Sequence, residues 1–90
     1  MMGKWKGLMK TEFMEIPVTV TFNATPVGLG EWFGSGTTDK YWPMNQPQFE
    51  TNIGTVLIVR EAIRPGSRHY IEFRGSGKPK GPLAEAMSIE

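Results

Sequence analysis

His69 is the only histidine of this 90-residue chain and the first residue to consider for chemistry. In a strand it alternates with Ile71 and Phe73 onto one side, which points its ring inward. That placement predicts a hydrogen-bonded core or rim histidine. A general base paired with Glu31 or Asp39 is the alternative, although no spacing in the chain supports it. The serines that could complete a catalytic triad do not lie in a nucleophile-elbow context.

Carboxylates and glycine-rich turns offer two further candidates. Glu31 and Glu72 occupy matching places in EWFGSG (31–36) and EFRGSG (72–77), where they are outward strand residues or, alternatively, paired carboxylates across a cleft. The run GSGKPKG at 75–81 resembles a phosphate-binding loop but lacks the Gly-Lys-Ser/Thr spacing of one. The absence of cysteine excludes disulfides, thiolate metal sites and cysteine nucleophiles. The sequence therefore favours a non-catalytic protein without a metal or cofactor.

A long aromatic and proline-rich loop is the strongest candidate for a contact surface. It runs through residues 38–52, and its large apolar side chains are Tyr41, Trp42, Met44 and Phe49. Such a loop either folds over a barrel end as a plug or presents an apolar surface to a partner. Small barrels with limited cores often dimerise, so we predict self-association through these four residues.

The last predicted strand carries a basic face that suggests a different partner. Arg68, Tyr70, Glu72 and Arg74 alternate onto one side of the strand. The residues predicted to bind nucleic acid are four with positive charge and one aromatic: Arg68, Arg74, Lys78 and Lys80, with Tyr70. Aromatic rings among basic side chains are typical of small barrels that bind single-stranded nucleic acid. This is the first alternative function.

Charge is unevenly distributed along the chain, although the formal net charge is only +1. Residues 3–10 and 60–80 are rich in Lys and Arg, whereas residues 12–50 are mainly acidic. A folded surface built from these segments is either polarised or a solvated mixture of charges.

Composition and periodicity predict the elements that position these residues. Eleven glycines and seven prolines, with short runs of β-branched and aromatic residues, favour an all-β fold with many turns. Strict alternation over 15–23 predicts a half-buried strand, and Pro17 near its start suggests an edge position or a strand entry. Further strands are predicted at 4–13, 29–37, 52–61 and 67–75, the last two forming a hairpin through Pro65-Gly66. The strand at 52–61 is apolar on both faces, so we expect it to be central.

The repeat of EWFGSG and EFRGSG aligns Trp32 with Phe73 and Gly34 with Gly75. Glycine weakens a strand interior, so its repeated use two residues after an aromatic needs a reason. One reason is a large ring lying over the bare backbone of a neighbour. Strong coiling that closes a small barrel is another. The repeat therefore predicts equivalent strands of a small antiparallel barrel or rolled sheet.

The segments Gly3–Gly7 and Gly30–Gly34 both contain Gly-x-Trp-x-Gly. They resemble the Gly-x-Trp pattern on an early strand of calycin-type barrels, the lipocalin and avidin group. The resemblance implies a ligand cavity at the mouth of a barrel. A mouth lined by Trp5, Trp32 and Phe73 would bind a small apolar ligand, which is the second alternative function.

Together these features predict one all-β domain, a small antiparallel β-barrel or roll of five to seven strands, over residues 1–75. Residues 76–90 form a tail. Its first part is expected to be mobile, and its end is expected to be a short helix or a last strand. The predicted function is a binding or assembly module that forms a homo-oligomer, with nucleic acid as the alternative partner. The N-terminus lacks a signal-peptide core and no run is long enough to span a membrane, so we expect a cytoplasmic protein.

Overall fold

The computed structural model describes residues 2–39, 46–66 and 68–88. They form β1 Met2–Lys10, β2 Glu15–Asn23, β3 Trp32–Thr38, β4 Gln48–Thr51, β5 Gly54–Arg64, β6 Arg68–Ser76 and α1 Gly81–Met87. All strand pairs are antiparallel, and the six strands make one sheet in the order β1-β2-β3-β6-β5-β4. The sheet curls into a half-barrel. The predicted small all-β barrel or roll is therefore confirmed.

Alternation along the strands decides which side chains form the core. In β2, Ile16, Val18, Val20 and Phe22 are buried, whereas the residues between them are exposed or half-buried. The same period of two places Trp5 and Met9 of β1 on the inner, concave face. The buried apolar residues are Met9, Ile16, Val18, Val20, Phe22, Trp32, Phe49, Ile53, Val56, Ile71, Phe73, Leu83 and Met87.

The two copies of the repeat lie on β3 and β6, which are paired neighbours with Gly34 opposite Phe73. The Phe73 ring lies over Gly34, with its Cζ 2.8 Å from the position of a Cβ atom there. Reciprocally, the Trp32 ring occupies the place of a Cβ atom at Gly75. Each aromatic residue thus covers the glycine of the other copy, and the predicted packing of rings on bare backbone is confirmed.

Asn52 joins the two edges of the sheet at one end. It lies in the turn between β4 and β5, where its Oδ1 accepts a hydrogen bond from Lys10 N at 2.6 Å. Its Nδ2 donates to Leu8 O at 3.1 Å, and its backbone N–H donates to Lys10 O at 3.1 Å. The edge strands β1 and β4 are thereby linked by one residue, through its side chain and its backbone, without strand pairing between them in the described part of the chain.

We expect Asn52→Ala to lower the free energy of unfolding by about 1–2 kcal/mol, because two side-chain hydrogen bonds are lost at an exposed site. Urea denaturation followed by tryptophan fluorescence measures the change. Asn52→Asp keeps the acceptor for Lys10 N but replaces the donor to Leu8 O, so it is expected to destabilise as well. An unchanged urea midpoint in both variants would show that the edges do not depend on this clamp.

The helix α1 packs against the core of the sheet. Pro82 stands in its first turn, where a missing N–H costs nothing, and Leu83 and Met87 are fully buried. The helix contacts β1, and Thr25 N donates to Met87 O at 3.2 Å just before Ser88 bridges to Thr25. Residues 81–88 therefore contribute to the same core as the strands.

Three details of the sheet differ from, or refine, the prediction. The four-residue strand β4 lies within a segment that the sequence predicted to be an irregular loop. The strand was missed because only two of its residues face the core, which is too few to show an alternation of apolar and polar residues. Pro17 is at the start of β2 and not at a sheet edge, since β2 lies between β1 and β3. The strand β5 is flanked on both sides, as its apolar composition predicted.

Candidate functional site

The outer face of the sheet carries two aromatic side chains near its middle. Phe33 of β3 alternates away from buried Trp32 and is 50% exposed. It pairs with Arg74 of β6, and two residues further back on that strand Glu72 pairs with Ser35. Tyr70 follows on the same face of β6, opposite Thr37. Both rings therefore belong to one surface, on two adjacent strands.

The same face holds most of the positive charge of the strands. Its basic residues, all exposed, are Lys4, Lys6, Lys10, Arg60, Arg64, Arg68 and Arg74. Its acidic residues are Glu15, Glu50 and Glu72. Of these acids Glu15 lies 3.9 Å from the Lys10 ammonium at one edge, and Glu50 lies on the opposite edge strand. Seven basic residues therefore share this face with three acidic ones, although the whole chain has a net charge of only +1.

Short hydroxyl side chains between the long ones leave a groove across the strands. One depression of about 490 Å³ is lined by Lys4, Phe33 and Arg74 around Thr19 and Ser35. A second, of about 670 Å³, continues from Thr19 and Ser35 toward β1 and the far end of β6. Both share the Tyr70 side chain, so together they form one shallow groove, hereafter the outer groove.

Tyr70 is held in place by charged neighbours. Its hydroxyl donates to Glu72 Oε1 at 2.8 Å, and the Arg64 guanidinium carbon lies 4.4 Å from the ring centroid, a cation–π contact. The hydrogen bond to Glu72, with a smaller effect of desolvation, raises the pKa of Tyr70 above its ordinary value of 10.0. The hydroxyl therefore stays protonated at neutral pH and keeps donating to Glu72.

The predicted nucleic-acid residues are only partly brought together. Arg68, Tyr70 and Arg74 share the outer face of β6 as alternation required. Lys78 and Lys80 lie instead in the segment that leads to α1, where Lys80 N donates to Ile53 O at 3.0 Å. They line neither depression of the outer groove.

Several residues of the outer sheet face were missed by sequence reasoning. The missed residues are Lys4, Lys6, Phe33, Arg60 and Arg64. Alternation from Trp32 already implied that Phe33 points outward. Nothing local indicated that β1, β3 and β5 would place their outward side chains beside those of β6.

The predicted ligand-binding aromatics lie within the core. Trp32 is 3% exposed and Phe73 is 1% exposed, each packed on a glycine of the paired strand. Trp32 Nε1 donates to Gly77 O at 3.4 Å. Trp5 is half-buried and lies over Gly7 of its own strand. The volume that a ligand would take between these rings is thus occupied by the protein itself.

Three of the four residues predicted to bind a partner, Tyr41, Trp42 and Met44, lie outside the described residues. Phe49 is described and is 4% exposed, in β4 opposite Val56. Its ring belongs to the core, so in this fold it does not contribute to a contact surface.

His69 is the second residue of β6, opposite Thr38 on β3 and Ile63 on β5. It points to the same side as Ile71 and Phe73, as predicted, and is half-buried. Its Nδ1 is buried without a hydrogen-bond partner among the described residues. Among the described residues, no three His, Asp or Glu side chains lie close enough together to hold a metal ion.

Comparisons with known proteins found no protein-family model, no curated protein and no solved structure that matches this chain. The resemblance to calycin-type barrels therefore stays a prediction. No helix in the described ranges is long and apolar enough to cross a membrane.

Proposed function

We propose that this protein is a non-catalytic binding module that holds single-stranded nucleic acid in the outer groove. The observation that supports this function is the outer groove itself, where exposed Phe33 and Tyr70 stand among basic side chains on one sheet face. Aromatic rings stack on bases, and Lys and Arg side chains bind phosphates. Self-association through the aromatic loop, and an apolar ligand in a barrel mouth, have no comparable support and stay predictions.

Single strands suit this surface better than duplexes. The two rings lie in the middle of a sheet face, so a base reaches them only if its own face is free. In a duplex both faces of a base are covered by its stacked neighbours, whereas in a single strand the bases can splay out. The polar floor of Thr19 and Ser35 adds hydroxyl groups that accept or donate hydrogen bonds to whatever base lies there.

The width of the face sets the length of nucleic acid that it holds. From β1 to β5 the groove crosses four strand spacings, which is roughly 19 Å at about 4.8 Å per spacing. That distance accommodates about four nucleotides, the lower end of the range for small single-strand-binding barrels. Basic residues stand at both ends, Lys4 and Lys6 on β1 and Arg60 on β5.

The affinity for a labelled eight-nucleotide oligouridine should fall steeply with salt. With about four phosphates neutralised, the slope of log affinity against log salt concentration is expected to be about −3, a loss of about 50-fold between 50 and 200 mM NaCl. Fluorescence anisotropy titrations at several salt concentrations measure this slope. A blunt duplex of the same length is expected to bind more weakly. No binding at 50 mM NaCl, or a flat response to salt, would contradict the proposal.

Two lysine variants distinguish binding of the RNA in the outer groove from a general attraction of the RNA to positive charge on the protein. Lys6→Ala removes a positive charge at the β1 end of the groove, and Lys80→Ala removes the same charge from the segment before α1. The first should reduce the magnitude of the salt slope by about 0.7, and the second should leave it nearly unchanged. Equal effects of both would place the phosphates elsewhere than in the outer groove.

A further inference from the structure

We propose that Glu72 selects guanine among the bases that enter the outer groove, an inference that rests on the proposed function. Glu72 is a carboxylate in the middle of a basic face, between Tyr70 and Arg74 on β6 and opposite Ser35 and Arg60. A surface that only attracts phosphates gains nothing from a negative charge at its centre, because the carboxylate repels them. A carboxylate is useful there if it accepts hydrogen bonds from a base.

Both oxygens of Glu72 can still accept a hydrogen bond, although one of them already has a partner. Oε1 accepts from the Tyr70 hydroxyl at 2.8 Å and lies 4.0 Å from Arg60 Nη1. Among the described residues both contacts fall on Oε1, and only the tyrosine hydroxyl is within hydrogen-bond distance, so a second lone pair of Oε1 and both lone pairs of Oε2 are left for a ligand. The Glu72 side chain is 37% exposed, and the hydrogen bond from Tyr70 orients the carboxylate before a base arrives.

Phe33 places a stacked base within reach of this carboxylate. Glu72 is opposite Ser35, two residues from Phe33 on the neighbouring strand, and such diagonal pairs lie roughly 7–8 Å apart. Both side chains line the same depression. A purine stacked on the Phe33 ring is therefore close enough to turn its hydrogen-bonding edge toward Glu72.

Among the four RNA bases, guanine suits a carboxylate best. Its Watson–Crick edge presents two adjacent donors, N1–H and the N2 amino group, which match the lone pairs of a carboxylate. Adenine and cytosine present one amino group beside a ring nitrogen that accepts, and uracil presents one N–H between two carbonyl oxygens. A carboxylate facing those edges meets at least one acceptor, and two facing acceptors repel each other.

The test uses four RNA heptamers in which three uridines flank each side of a central guanine, adenine, cytosine or uracil. Anisotropy titrations at fixed low salt should give an affinity for the guanine heptamer about tenfold above that for the all-uridine one. Glu72→Gln should lower the affinity for the guanine heptamer about tenfold. For the all-uridine heptamer the same variant should leave the affinity unchanged or raise it, because a repulsive charge is removed.

Glu50→Gln is the matched control, since it makes the same charge change on the same sheet face at the far edge. There Glu50 accepts from Thr55 Oγ1 at 2.8 and 2.9 Å and does not line the outer groove. It should leave the preference for guanine intact. If Glu72→Gln instead raises the affinity for all four heptamers alike, as a lost charge would, selection by Glu72 is overturned.

The wild-type protein distinguishes this inference from the function on which it rests. Equal affinity for all four heptamers overturns guanine selection and leaves the proposed function in place. No affinity for any heptamer overturns both. Circular dichroism of Glu72→Gln shows whether the variant is folded, and if it is not, the wild-type comparison of guanine with uracil still decides.

Discussion

Replacing Gly75 with alanine is expected to lower the free energy of unfolding by about 3 kcal/mol or more. The new methyl group would occupy the space that the Trp32 ring fills, and Trp32 cannot turn away because it is 3% exposed and bonded to Gly77 O. A domain of 90 residues has a total stability of roughly 5–13 kcal/mol, so this loss is a large part of it. Urea denaturation followed by tryptophan fluorescence measures it.

The control for Gly75→Ala is Gly66→Ala, at the β5–β6 turn. Apart from its chain neighbours, no described residue has an atom within 4 Å of the added methyl group there, and the left-handed backbone, with φ of 83°, opposes the change. That strain costs about 1–2 kcal/mol. Trp32→Leu should be less damaging in the Gly75→Ala background than in the wild type, because the smaller side chain makes room for the methyl group. Equal destabilisation by Gly75→Ala and Gly66→Ala would refute the reciprocal packing of ring on glycine.

The double variant Phe33→Ala/Tyr70→Ala is expected to weaken oligouridine binding about 100-fold or more. Stacking of a base on an aromatic ring contributes a factor of roughly 5–150 per base, and both rings are lost here. Phe33 is 50% exposed and Tyr70 is half-buried on the outer face, so the core is left intact. Anisotropy titration gives the affinity, and the urea midpoint confirms that the fold is retained.

Phe13→Ala is the matched aromatic control for this loss. Phe13 is 66% exposed in the β1–β2 turn and does not line the outer groove. Its removal should leave the affinity unchanged. Tyr70→Phe separates ring from hydroxyl, since it keeps the stacking surface and removes the hydrogen bond to Glu72. If the double variant binds as tightly as Phe13→Ala, the two rings do not contact the nucleic acid.

Much of the local structure followed from the order of residues. Alternation over 15–23 defined β2 and its buried face, and Pro65-Gly66 marked the turn of the β5–β6 hairpin. Repeated glycines two positions after an aromatic residue indicated rings packed on bare backbone. These features could be predicted because a strand has a period of two, and because turn geometry favours particular residues.

The candidate site was less predictable. The sequence placed Tyr70 between Arg68 and Arg74 on one strand face, but it also suggested Lys78 and Lys80, which the chain carries away toward α1. Phe33 was not recognised as its partner, because the two aromatics are separated along the chain by β4 and β5. Only the pairing of β3 with β6 makes them neighbours.

The sequence by itself therefore determined the strands, their inner and outer faces and the reason for the repeated glycines. The tertiary structure decided the strand order β1-β2-β3-β6-β5-β4, the Asn52 clamp and the gathering of basic residues around Phe33 and Tyr70. The physical reason is the distance along the chain between the residues that decide each feature. The face of a strand on which a residue lies depends on its immediate neighbours, whereas the strand beside it depends on how all the apolar faces are buried together.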